Sequence, residues 1–251
     1  MMRNILLPWL LAFSLAIYCS AGDMKPNNQF LTLVDGYPTS KRQEFDKIKL
    51  GETRRFRWNG NTVNLVINSI ENSHKQTHED LEISGLQIYS TENDLVEHFS
   101  LNYTLFEYHL NGLYRTAIGD RDSLIISHYL PGATGWTANA IIFHIILETE
   151  AGYKYQELST FFSQLDSFVD LDGDGISEFI CVNLVLDTDG NFVVPVVFSL
   201  DNEDNFSRTT STVATVPGLM DPKIGLIPKK WSEVPESVKT VSSSSIPRAL
   251  E

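Results

Sequence analysis

The sequence predicts a mainly β protein: an antiparallel meander or sandwich, or a partial set of propeller-like blades, with one short helix. Three observations carry this expectation. Apolar and polar residues alternate over short runs such as Phe56, Trp58 and Val63, Leu65, Ile67, the period of a half-buried strand. Turn pairs such as Asn59-Gly60 and Asp189-Gly190 punctuate the runs. Another run, Phe179–Leu186, is rich in apolar and β-branched residues, as a buried strand is, and Ile141–Leu147 also reads as a strand.

The chain has 251 residues and is 42% hydrophobic, enough to bury a sizeable core. Its formal net charge of −13 argues against nucleic acid and anionic membrane surfaces as partners, because both select a basic footprint. Residues 1–21 read as a signal peptide: Arg3, an apolar run over Ile5–Ile17, and small residues Cys19 and Ala21 before Gly22. The apolar run is short for a membrane span and no later run is longer, so no transmembrane segment is expected in the mature protein. Secretion or a periplasmic location follows as an expectation. Cys19 is also a candidate lipid anchor, but bulky Tyr18 argues against it. Cleavage after Ala21 would leave Cys181 alone, in an apolar strand that suits a small buried hydrophobe.

Residues 22–41 are polar, contain Pro26 and Pro38, and are expected to lead in loosely to a β domain over 42–216. A hairpin over Phe56–Ile67 turns at Asn59-Gly60, with Arg54, Arg55 and Arg57 on its first strand as solvated or locally paired charges. Glu71–Asp80 reads as a polar loop; its His74 and His78 have helical zinc-clamp spacing but no helical periodicity around them. Leu81–Ile88 is a strand broken at Gly85, and Thr91-x-x-Asp94 resembles a capping box for the short helix, ending at Phe99. Asn111-Gly112 offers a second hairpin turn into Leu113–Ala117. Leu124–Leu130, Ile141–Leu147 and Tyr153–Leu158 follow as successive strands, with His144 expected to be buried or at an edge with one hydrogen bond. Phe192–Leu200 contains Pro195, which predicts an edge strand or a bulge. Asp201–Asn205 is read as a turn. From Pro217 strand periodicity is lost, and 217–251 is expected to be a Pro/Ser-rich, partly disordered tail.

One stretch states a specific chemistry: Asp170-Leu-Asp172-Gly-Asp174-Gly175-Ile176-Ser-Glu178. Asp170, Asp172 and Asp174 place a carboxylate at alternate positions, so all three can turn toward one centre. Gly175 permits the sharp turn, the Ile176 carbonyl is a candidate ligand, and Glu178 adds a fourth carboxylate, directly or through water. Four carboxylates in so short a span repel one another unless a cation neutralises them. Hard oxygen ligands in this pattern point to Ca2+. Ser177 and Cys181 stand where an EF-hand wants an apolar residue and a Glu, and the flanks read as strands, not helices. The segment resembles the D-x-D-x-D-G-x-x-E calcium loops of FG-GAP and VCBS-type secreted bacterial β proteins. That resemblance implies an ion held between two strands of a blade; it covers the loop and the start of the next strand.

Catalytic signatures are not evident: the chain has no G-x-S-x-G elbow, P-loop, dinucleotide fingerprint or zincin helix. The leading expectation is a non-catalytic calcium-binding β protein whose ion stabilises a binding or adhesion module for a protein or glycan ligand. The alternative is a secreted hydrolase with a dispersed active site, in which His128 or His144 would face an acid.

Overall fold

The computed structural model describes residues 28–37, 40–49, 54–68, 82–106, 110–130, 139–161, 165–209, 214–221 and 223–243. Residues 1–21, read as a signal peptide and containing Cys19, the residues 71–80 that bear His74 and His78, and the Pro131–Gly135 punctuation lie outside them.

Two short strands open the fold, β1 (Lys41–Arg42) and β2 (Asp46–Ile48). The strands β3 (Arg55–Trp58), β4 (Asn61–Asn68), β5 (Glu82–Tyr89) and β6 (Leu95–Phe106) then form a four-stranded antiparallel meander. Asn59 and Gly60 both have positive φ (46° and 77°), as the tight turn between β3 and β4 requires. A second meander follows: β7 (Leu110–Ile118), β8 (Arg121–Tyr129), β9 (Ala140–Thr149) and β10 (Gly152–Phe161), with β2 added beside β7. The third sheet holds β11 (Phe168–Asp170), β12 (Glu178–Asp187), β13 (Gly190–Leu200), β14 (Phe206–Arg208), β15 (Gly218–Asp221) and β16 (Gly225–Pro228), with β1 beside β11. All pairings are antiparallel, as expected for a meander or sandwich.

Packing explains the two strand patterns in the sequence. Trp58, Val63, Ile83, Leu86 and Ile88 of the first sheet meet Leu113, Leu124, Ile126 and Ile146 of the second. The opposite side of the second sheet gives Ile125, Phe143 and Ile145 to a core shared with Phe168, Phe179, Val194 and Phe198 of the third. β8 and β9 are therefore covered on both faces, which is why Ile141–Leu147 does not alternate. The outer face of the third sheet, with Val169, Ile180, Val182 and Val193, is covered by Phe30, Leu31, Leu33, Val34 and Tyr37.

The structure corrects several local expectations. The supposed helix over Thr91–Phe99 is a turn followed by β6. Ser90 Oγ accepts the Glu92 and Asp94 N–H groups at 3.2 Å each, so the turn chemistry belongs to Ser90 and not to a Thr91 cap. Pairing with β5 then takes Leu95 onward into the sheet. The one α-helix among the described residues, α1 (Glu236–Ser243), lies in the segment read as a tail. Val234 and Val238 are buried in the core between the second and third sheets, and Pro235 O accepts the Val238 and Lys239 N–H groups. Gly218–Asp221 and Gly225–Pro228 also form strands there, because β15 pairs with β13 and β16 with β15. Residues 28–37 are not a loose lead-in: five of their apolar side chains are buried. Asn111-Gly112 is within β7 at a register shift opposite β8, not a turn. Pro195 is not at a bulge, but among the described residues it lies at a local edge, where its missing N–H leaves no ladder bond unmade. It pairs in unbroken register with Val182, and on its other side it falls between the β15 partners, which end at Val193, and the β14 partners, which begin at Phe198.

Candidate metal centre

The acidic loop joins β11 to β12, and its ends are clamped by aromatic packing. Phe168 and Phe179 are cross-strand partners with ring centroids 5.0 Å apart, and Phe143 of the second sheet stands edge-on to both, at 5.5 and 5.6 Å. All three rings are fully buried. Edge-to-face pairs of this kind add about 0.5–1.5 kcal/mol each beyond area burial. The sequence-distant Phe143 thus fixes where the loop begins and ends.

Between those ends the chain curls over its own carboxylates. Asp170, nearly buried, accepts the Gly173 N–H on Oδ1 (2.7 Å) and the Gly175 N–H on Oδ2 (3.1 Å). Asp172 Oδ1 accepts the Asp174 N–H at 3.2 Å, and Asp174 Oδ1 accepts the Ile176 N–H at 2.7 Å. Gly173 and Gly175 sit at φ 83° and 90°, a region closed to most other residues. These bonds leave carboxylate lone pairs free, since each ionised group has about four acceptor positions. Carboxylate oxygens of Asp170, Asp172 and Asp174 lie within 4.8 Å of one another, a group that can hold a metal ion.

Of the other two expected ligands, Glu178 begins β12 and Ile176 lies two residues before it. Glu178 turns back across the loop, and its Oε2 accepts the Leu171 N–H at 2.7 Å. Burial, with Asp172 and Asp174 as negative neighbours, pushes its carboxyl up to about 7 against the pull of that N–H. A bound cation would reverse this balance. Ile176 anchors the loop through its side chain, which packs on the core and lies against Gly119.

A second contact set ties the loop to the second sheet. Ser177 Oγ donates to Gln43 Oε1 at 2.6 Å, while Gln43 Nε2 donates to Thr116 Oγ1 (2.5 Å) and Ala117 O (2.7 Å). Beside this bridge runs a polar cleft of about 490 Å³, whose lining includes Lys41, Arg42, Glu44, Arg115, Asp122 and Asp170.

The remaining sequence candidates do not converge on the loop. Arg57 donates to Gly60 O and Thr62 Oγ1, holding its own hairpin. Asp201 Oδ1 accepts the Glu203 and Asn205 N–H groups, so that cluster is a turn, and Arg121 pairs with Asp204 at 3.0 Å. Cys181 is fully buried and its thiol is pushed up to about 12 by burial, which suits a packing residue.

Sequence reasoning missed a buried polar chain between the first two sheets. His128 Nε2 and His144 Nε2 are 2.8 Å apart, and His144 makes a second bond to the Tyr155 hydroxyl at 2.6 Å. Glu157 Oε2 lies 3.7 Å from His144 Nδ1. Polar residues beside or within the apolar runs of β8 and β9 were the available signal, but only the register shows that the two histidines meet.

Comparison of the chain with protein-family models, with curated proteins and with solved structures returned no match. Among the described residues no helix is long and apolar enough to cross a membrane.

Proposed function

We propose that this is a secreted or periplasmic, non-catalytic calcium-binding β protein, in which one Ca2+ closes the 170–178 loop and thereby fixes a binding or adhesion surface. The observation that carries the reading is the convergence of Asp170, Asp172 and Asp174 on one point from a loop held open by rigid strands. The group offers oxygen ligands only, which favours a hard cation over zinc or copper. The Ile176 carbonyl and Glu178, directly or through water, complete the proposed ligand set. The ion would stabilise folding because the unfolded chain lacks the site. The polar cleft beside the loop, with cations and carboxylates interspersed, is the surface a protein or glycan ligand would meet. Resemblance to FG-GAP and VCBS-type loops and the signal-peptide reading of 1–21 support the same assignment.

The hydrolase alternative has one observation in its favour, the approach of His144 to Glu157. Against it, the His128 and His144 side chains are fully buried and present no face to a substrate. The test is a thermal melt in EDTA and in millimolar calcium, for wild type and Asp172→Ala. A calcium-dependent rise in Tm that the variant lacks supports the reading; identical melts in every condition would reduce the loop to an acidic turn.

A further inference from the structure

The outer edge of a terminal strand is a row of backbone N–H and C=O groups, a template for another strand unless it is guarded. Most terminal strands of this fold are guarded. β1, β2 and β14 are two or three residues long, and β3 has four residues, Arg55 and Arg57 among them. β16 is equally short and ends in Pro228. β10 is longer, but β12 and the turn before β14 lie along it. Ser159 O accepts the Cys181 thiol, Thr160 Oγ1 accepts the Val182 N–H, and Gln156 bonds both Asp204 O and the Phe206 N–H.

β6, terminal in the first sheet, is neither short, nor cationic, nor interrupted by proline. It runs for 12 residues, about twice the ordinary strand length. Leu95–Phe106 contains no Lys, Arg or Pro, and Glu97 is its one carboxylate. Among the described residues it pairs with β5 alone. Two register shifts in that pairing bend the strand, but between them Glu97–Ser100 run in unbroken register with β5. Leu95 is 54% and Val96 49% exposed, and His98 and Ser100 are exposed beyond them. The sheet can be extended at this edge without burying charge. Its inner face is apolar, with Trp58, Val63, Leu86 and Phe99 packed on the second sheet, while Asn64, Gln87 and His98 form a polar cross-strand row on the other face.

We propose that β6 is the contact through which two copies of this chain pair, their four-stranded first sheets joining antiparallel into one continuous sheet. An open strand edge takes another strand, because only an extended backbone matches its donors and acceptors. The charge distribution along β6 selects a second copy in antiparallel orientation. Glu92, Asp94 and Glu97 lie before or within its first three residues, whereas His98–Phe106 contains no Asp, Glu, Lys or Arg. Pairing about a two-fold axis sets each acidic end beside the neutral end of the other strand; a parallel pair would set acid against acid. The same arrangement brings exposed Leu95 and Val96 beside the half of the partner strand that contains Leu101, Leu105 and Phe106. The contact is independent of the ion proposed for the 170–178 loop, which joins strands of the third sheet.

The test is sedimentation velocity of the purified protein in EDTA over about a hundredfold range of concentration, beside the double variant Leu95→Lys/Val96→Lys and the single variant Ile224→Lys. Amide hydrogen exchange of the wild type is read at both ends of the range. Lysine is a natural guard of strand edges, and positions 95 and 96 are exposed enough to accept it. Ile224, 75% exposed between β15 and β16, controls for the loss of any surface hydrophobe. The wild type should form a dimer that dissociates on dilution, Ile224→Lys should match it, and the double variant should dimerise at least about tenfold more weakly. Exchange over Leu95–Leu101 should slow at high concentration. A wild type monomeric throughout overturns the proposal and leaves the edge to a strand of another protein. A dimer equally tight in the double variant, or lost in Ile224→Lys, puts the contact elsewhere and also overturns it. If the double variant does not fold, hydrogen exchange decides: rates over Leu95–Leu101 that do not change with concentration overturn the pairing.

Discussion

Replacing Asp170 with Ala should destabilise the protein even when no calcium is present. The side chain is 8% exposed and its two oxygens accept the Gly173 and Gly175 N–H groups, at 2.7 and 3.1 Å. Hydrogen bonds to a charged partner are worth about 1.5–3 kcal/mol each when removed singly. Residues 172–175 are exposed, so water recovers part of the loss, and a total of about 2–3 kcal/mol is expected. At roughly 2–4 °C per kcal/mol for a chain of this size, Tm should fall by about 4–12 °C. The assay is a circular-dichroism melt in EDTA at neutral pH. Asp170→Asn, which keeps one acceptor oxygen, should recover part of the loss. Asp172→Ala, which gives up one longer bond at an exposed position, should stay within about 2 °C of wild type. An Asp170→Ala melt indistinguishable from wild type in EDTA would refute the view that this carboxylate organises the loop.

Two other predictions concern the frame around the site. Val238→Ala, at a fully buried position of α1, should cost about 1–2 kcal/mol by urea unfolding, whereas a change confined to a disordered tail would leave the midpoint unmoved. Cys181, buried and pushed up to about 12, should resist a thiol reagent in the native protein and react once urea unfolds it; native labelling at the rate of a free thiol would contradict its placement in the core.

What could be read from the sequence was what is encoded locally. The Asn59-Gly60 turn, the strands from Leu124 onward and the acidic loop depend on neighbouring residues, and each lies where its pattern places it. Errors arose where distant partners decide the outcome. Thr91-x-x-Asp94 carries helix-capping residue types, but β5 was waiting to pair with the next segment. The strands over 218–228 are four residues each and flanked by prolines, too short to show a period; β13 orders them. Phe30, Leu31, Leu33 and Val34 form a visible apolar group, but the face they cover belongs to β11, β12 and β13, far along the chain. At the candidate site the three aspartates were legible, whereas the turn of Glu178 toward Leu171 and the Gln43 bridge depend on the folded path of the loop. The histidine chain was hidden for a related reason: a register, not a spacing, puts His128 against His144.

The proposed function requires that the 170–178 loop bind one calcium ion. The most direct measurement is calorimetric titration of calcium into the EDTA-stripped, dialysed protein, alongside Asp172→Ala and Asp174→Ala. One ion per wild-type chain is expected, with a Kd of about 10⁻⁴–10⁻³ M, as for extracellular calcium modules, and no saturable binding in either variant. No saturable heat from the wild type up to about 10 mM calcium, well above that range, or equal binding by the variants, would contradict it.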